Sequence, residues 1–399
     1  MLPAPPTLLE RLLHLTALVA LAAALALVAV RPSLVIFGWG DPLLPGAVHL
    51  VTLGGVLSLA YLLLVRLWRQ LYGSGAAWAP LGWAAWAFHA PGVALLAWGF
   101  LHHDPTLAYW GGHYLVPTGV LLALAHGWVA AWRRPRGAPR RLAAHLPGLG
   151  LAVTVSLGAL LVMDAYTARY GLYTPATILA HALAAGFLFV LPLLLLPDAL
   201  AQAPPPAPAG HREAAGAAGP AVGALARWYA AVAVGATGVL LVVLALADAG
   251  AERLLAIGLA LLGALLVWLG LPPGQRLGGG PAALRGVALL PLAGRLATGV
   301  LGVYAGLRHA RGAEPGEAFW LGKVGALLFL LAVALPELLA LLERAHGVHG
   351  ARGRLAVWLA GTALLLAGQL WVEPWAVRAG ALVWLAGLGW HALAVWERR

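Results

Sequence analysis

The chain has 399 residues, of which 62% are hydrophobic and only 10% are charged. A soluble domain is about a quarter charged, so composition excludes an ordinary soluble globular protein and points to the membrane. The formal charge of +11 does not signal nucleic acid, because the arginines fall between apolar stretches, and the lack of cysteine excludes disulfides, thiolate metal sites, iron–sulfur clusters and covalent c-type haem.

A membrane-crossing helix needs about 20 predominantly apolar residues. Twelve such stretches follow in chain order, at about 12–30, 46–66, 81–101, 112–132, 147–164, 176–197, 226–247, 253–271, 284–307, 319–341, 355–371 and 376–396. Each must be helical, because lipid offers no partner for a free backbone N–H or C=O. Period-2 alternation is absent, which excludes a β-barrel. The first stretch is longer than a signal-peptide core, and the "VRPS" after it is no small-residue cleavage site, so it reads as a span. Seventeen arginines fall on the side of the even-numbered loops and the two ends of the sequence, against seven basic residues on the other side. The positive-inside rule therefore predicts both termini in the cytoplasm. The stretch 201–224, rich in Pro, Ala and Gly, is expected to be a flexible cytoplasmic linker within a single membrane domain covering 1–399.

An internal repeat runs through spans two, six and ten. They open with His49-Leu-Val-Thr-Leu-Gly54, His181-Ala-Leu-Ala-Ala-Gly186 and Trp320-Leu-Gly-Lys-Val-Gly325, a large ring five residues before a glycine in each. Sixteen residues after the ring stand Val65, Pro197 and Pro336, and one further on stand Arg66, Asp198 and Glu337. The rings are 132 and 139 residues apart, close to a third of the chain, which argues for three four-helix units at about 1–140, 141–271 and 272–399.

Twelve helices in three pseudo-equivalent quartets resemble the catalytic subunit of the heme–copper oxidase superfamily. The stretches "VHLVTLGGVLSLAYLLLVRLWRQLYG" and "TILAHALAAGFLFVLPLLLLPD" resemble the histidine-bearing spans of divergent oxidase-like proteins, including the NnrS family. The resemblance implies that His49 binds a b-type haem and that His181 contributes to a cofactor site that in the superfamily holds copper. It also implies a bacterial inner-membrane protein linked to nitric oxide metabolism or resistance. Span seven and its exit contain no histidine, and Trp320 stands where the repeat would place one in span ten. These departures argue against an oxygen-reducing haem–copper centre.

The predicted orientation sets the level of each histidine. Spans two, four and six run inward, so His49, His113 and His181 fall near the outer surface, where His102, His103 and Asp104 close span three. A haem needs one or two neutral imidazoles in an apolar slot, for which His49, His181, His89 and His113 are the candidates. Copper or zinc needs three or four ligands, for which His102, His103, Asp104 and His113 are the candidates. Histidines in a loop are also commonly just solvated, and small residues after His49 and His181 would serve helix packing as well as a macrocycle. His89 sits mid-span, where ligation and a local hydrogen bond are equal alternatives. His126 reads as a packing residue, His346 and His349 as exposed, and His14, His145, His211, His309 and His391 as interfacial or loop-borne. Arg295, inside span nine, must face the bundle and find an acceptor, whether a haem propionate, Glu337 or the carbonyl freed by Pro291. Two other classes fit the same topology: a twelve-helix secondary transporter, and a cofactor-free accessory subunit.

Overall fold

The computed structural model describes residues 6–36, 43–72, 79–133, 138–168, 175–201, 219–247, 252–270, 329–345 and 352–396, with isolated helical positions between 295 and 304. These residues are almost entirely helical and include no strand. Trp320, Gly325, His211, His309, His346 and His349 lie outside the described residues, as do most of the expected ninth span and the start of the tenth.

Helix α1 (Leu8–Val30) starts four residues before the apolar run because Thr7 and Glu10 form a reciprocal capping box. After a single turn at Ser33–Ile36, α2 (Leu44–Tyr72) begins with Pro45 in its first turn, where a missing N–H costs nothing. α3 (Ala79–His102) and α4 (Pro105–Trp132) form a tight hairpin, its turn made by His103 at φ 55 and by Asp104 capping α4. α5 (Ala138–Thr167) carries Pro147 inside it, and α6 spans 175–201. α7 (Gly219–Ala247) takes in the last six residues of the expected linker, with Pro220 in its first turn, where a missing N–H costs nothing. α8 (Glu252–Gly270), α9 (329–345), α10 (Arg352–Leu370) and α11 (Pro374–Trp396) complete the described chain.

Seven of the described helices are long and apolar enough to cross a membrane: α1, α2, α3, α4, Leu142–Ala165 of α5, Leu225–Ala245 of α7, and α11. Shorter apolar stretches lie on α6, α8 and α10. The chain is thus a multi-pass helical membrane protein. Sequential helices pack as neighbours, and α1 packs against α11, so the first and last helices meet. One core joins α2, α6 and α9 through Leu57, Val65, Val190, Leu194, Leu335 and Leu338.

Four helices widen locally from α to π geometry: at Leu50–Leu57 in α2, Trp110–Leu115 in α4, Ala185–Val190 in α6 and Phe329–Ala334 in α9. Three of these are the helices carrying the internal repeat. A π turn holds an extra residue and re-aims the side chains beyond it, and such turns concentrate at functional sites.

Glycines set how closely the helices approach. A Cβ on Gly111 would strike the backbone of Leu96, and one on Gly92 would sit 2.8 Å from the Leu115 Cβ, so α3 and α4 touch backbone to backbone. Gly54 and Gly55 press against Ala20 and Leu21 of α1, so at these two positions helix packing uses the space. Gly186 differs, because a Cβ there would meet only Phe329, at 3.7 Å. Gly111→Ala is therefore expected to destabilise the protein by about 1–3 kcal/mol through overpacking. Gly186→Ala is expected to leave stability unchanged or slightly raised, because alanine relieves glycine's backbone entropy loss. Unfolding in mixed detergent compares the two; equal losses would show that the backbone contact is not what matters.

Candidate functional site

His49 closes the first turn of α2, immediately before the π segment. Its Nδ1 lies 2.6 Å from the Pro45 carbonyl. A carbonyl only accepts, so Nδ1 carries the proton and Nε2 keeps its lone pair. The ring stacks on Phe100 of α3, with centroids 5.2 Å apart.

His181 stands four residues before the π segment of α6. It rests on α5, with the Thr154 carbonyl as hydrogen-bond partner and Gly158 beneath its Cε1. Its Nδ1 is buried with no partner. It lies within electrostatic range of His49. The two histidines singled out by the repeat thus share one neighbourhood. His181 keeps Nδ1 buried without a hydrogen-bond partner, while His49 ties Nδ1 to the Pro45 carbonyl. Second-shell bonding of this kind orients imidazole ligands in metal and haem sites.

His113 lies inside the π segment of α4, and its Nδ1 donates to the Ala159 carbonyl at 3.3 Å. His113 and His181 therefore both contact α5 between Thr154 and Ala159. His89 is different: Ser58 Oγ lies 3.2 Å from its Nε2, and the Leu53 carbonyl is a further partner. Both of its nitrogens are engaged within the protein, which is the local-hydrogen-bond alternative.

The hairpin group is arranged for structure. His102 donates Nδ1–H to the Trp98 carbonyl of its own helix, stacks on the Trp98 ring and is exposed. His103 is exposed in the left-handed turn. Asp104 Oδ1 accepts from the Thr106 and Leu107 amides at 2.9 and 3.1 Å, capping α4. No three His, Asp or Glu side chains converge to hold a metal ion among the described residues.

Three histidines expected at interfaces or in loops are buried within helices instead. His145 is packed among Trp68, Tyr72 and Trp128, with the Tyr72 hydroxyl 3.3 Å from its Nε2. His14 of α1 faces His391 of α11, Nε2 to Nε2 at 3.2 Å. His391 Nδ1 is 2.9 Å from Glu343 Oε1, and Arg354 grips both oxygens of Glu343 at 2.7 and 3.0 Å. None of these four side chains is more than 4% exposed. The sequence offers no signal for this cluster, because the His14–His391 contact spans 377 positions. His126 is buried as expected, against the Tyr61 hydroxyl at 3.3 Å. Arg295 is also buried and pairs with Glu337, one of the three acceptors considered for it.

No known protein family and no curated protein matches this chain. Asp104→Ala is expected to cost about 1 kcal/mol of stability by removing a helix cap, to the same extent with or without added copper or zinc. A loss seen only in the presence of metal would mark Asp104 as a ligand instead.

Proposed function

We propose that the protein is a haem-binding, oxidase-like protein of the bacterial inner membrane, resembling the NnrS family, that handles nitric oxide or a similar small ligand. The observation carrying this reading is the pairing of His49 and His181: repeat-equivalent in sequence, within electrostatic range of each other, His49 with Nδ1 held by the Pro45 carbonyl and His181 with Nδ1 buried and without a hydrogen-bond partner. The donor chemistry fits a b-type haem, whose iron takes neutral imidazoles. Gly54 and Gly55 take no part, because α1 already fills the space over them.

In this reading His49 and His181 hold the haem, and Pro45 and Thr154 orient the two rings through their carbonyls. Haem would supply an iron that could take up a diatomic ligand only where one of the two imidazoles released it. Phe100, stacked on His49, keeps polar groups from that face of the ring. Copper is not carried into the proposal, since His102, His103 and Asp104 do not converge with His113.

The threefold arrangement of twelve helices, with both termini in the cytoplasm, belongs to the same proposal. Three features support it. The helices of spans two, six and ten meet in one core, each with a π segment. Arg66 on span two pairs with Glu10 on span one, and Glu337 on span ten pairs with Arg295 on span nine, so the same repeat position makes the same inter-helix pair with the charges exchanged. Finally, α1 meets α11, as a closed ring of quartets requires. A transporter of two six-helix bundles calls for none of these.

Protein purified after expression with ample haem is expected to show a Soret band. His49→Ala and His181→Ala are each expected to shift or abolish it, while His89→Ala leaves its position unchanged. A wild-type protein that folds and carries no Soret absorption would overturn the proposal.

A further inference from the structure

Residues of α2, α3, α4 and α5 line a small, partly open cavity in the half of the bundle away from His49. Three of its walls come from residues with polar atoms: Tyr61, Trp68 and His89. In each case the polar atom points elsewhere and is engaged. The Tyr61 hydroxyl lies 3.3 Å from His126 Nδ1, Trp68 Nε1–H donates to the Ala144 carbonyl at 3.5 Å, and His89 is held by Ser58 and Leu53. What faces the cavity is ring carbon and aliphatic carbon, including Leu57, Ala85 and Ala123.

A buried water needs about 2–4 polar partners, and apolar cavities without them stay dry. This cavity has room for about one water-sized molecule and offers it no partner. Close packing would ordinarily remove such a void, because lining atoms without neighbours forfeit dispersion contacts. Here alanines stand at positions 85 and 123, and neither is exposed. Gly119, which also lines the cavity, is needed for another reason: a Cβ there would sit 2.8 Å from the His89 amide nitrogen.

We propose that this cavity is a dry binding site for a single small apolar molecule of the gas class, a diatomic such as nitric oxide or dioxygen. The site does not depend on haem, since among the described residues its lining comes from α2–α5 and is remote from His49 along α2. It adds to the function proposed above a place where the ligand can dwell inside the protein.

Xenon is the probe. Crystals of the haem-free protein under xenon pressure are expected to show one anomalous peak between Tyr61, Trp68 and His89. Ala123→Leu, which more than fills the void, is expected to abolish that peak. Ala85→Val serves as the second filling variant should Ala123→Leu not fold. Ordered water in the cavity of the wild-type crystal, or a xenon peak that persists in a folded filled variant, overturns the proposal. Haem content has no bearing on this outcome, so the site and the haem reading stand or fall separately.

Discussion

The structure depends on one constraint: in lipid, apolar surface gives no net drive for one helix to leave the bilayer and join another. Helices must instead be held by close van der Waals contact and by polar groups that find each other. The chain uses both. Glycines at positions 92 and 111 bring α3 and α4 into backbone contact, and Gly54 and Gly55 let the Ala20 and Leu21 side chains of α1 press against the backbone of α2. The polar contacts are concentrated between helices distant in sequence. Glu10 joins α1 to α2 through Arg66 at 3.3 Å and Arg69 at 2.5 Å. The His14–His391–Glu343–Arg354 chain joins α1, α11, α9 and α10.

These polar contacts are also what makes the arrangement specific. A charge at the middle of a membrane costs at least roughly 2.5 kcal/mol even on the most lenient scale, so each buried arginine or glutamate fixes the position of its partner. Arg354 shows how complete the compensation is, since its planar fork meets both carboxylate oxygens of Glu343, the geometry in which a guanidinium–carboxylate pair is strongest. Glu343 in turn requires His391 Nδ1 to be a donor, which fixes the tautomer of a ring that lies against His14. Arg295 and Glu337 are less fully matched. They meet through one nitrogen and one oxygen, and Arg295 Nε and Glu337 Oε2 are left buried without a partner.

The helical, multi-pass character of the fold was legible because membrane helices are written as long apolar runs whose length follows from bilayer thickness. The acceptor of Arg295 was legible as one of three because a buried charge demands one. What was not legible depended on tertiary proximity or on local backbone geometry. The π segments leave no mark in composition, since "LVTLGGVL" reads equally as ordinary helix. The burial of His14 and His391 depends on α1 meeting α11, which no local pattern encodes. Asp104 shows how one residue type carries two signals. An aspartate before a proline is a helix-start signature, yet the adjacent histidines made it look like a metal ligand, and the cap is what the structure contains.

The histidines divide by how their two ring nitrogens are used, and this division separates structure from site. A histidine that only packs is most stable with both nitrogens satisfied, because an unmet polar atom in a low-dielectric interior costs free energy. His89 follows that rule, between Ser58 and Leu53, and so does His391, between His14 and Glu343. His181 breaks it, with Nδ1 buried and unmet. His49 spends one nitrogen on the carbonyl of its own first turn, a bond that sets the ring's direction without joining α2 to another helix. Both exceptions fall beside π segments, in two of the three helices that the repeat makes equivalent. An orphaned nitrogen in the interior costs free energy, and His181 Nδ1 is the histidine atom that carries this cost among the described residues.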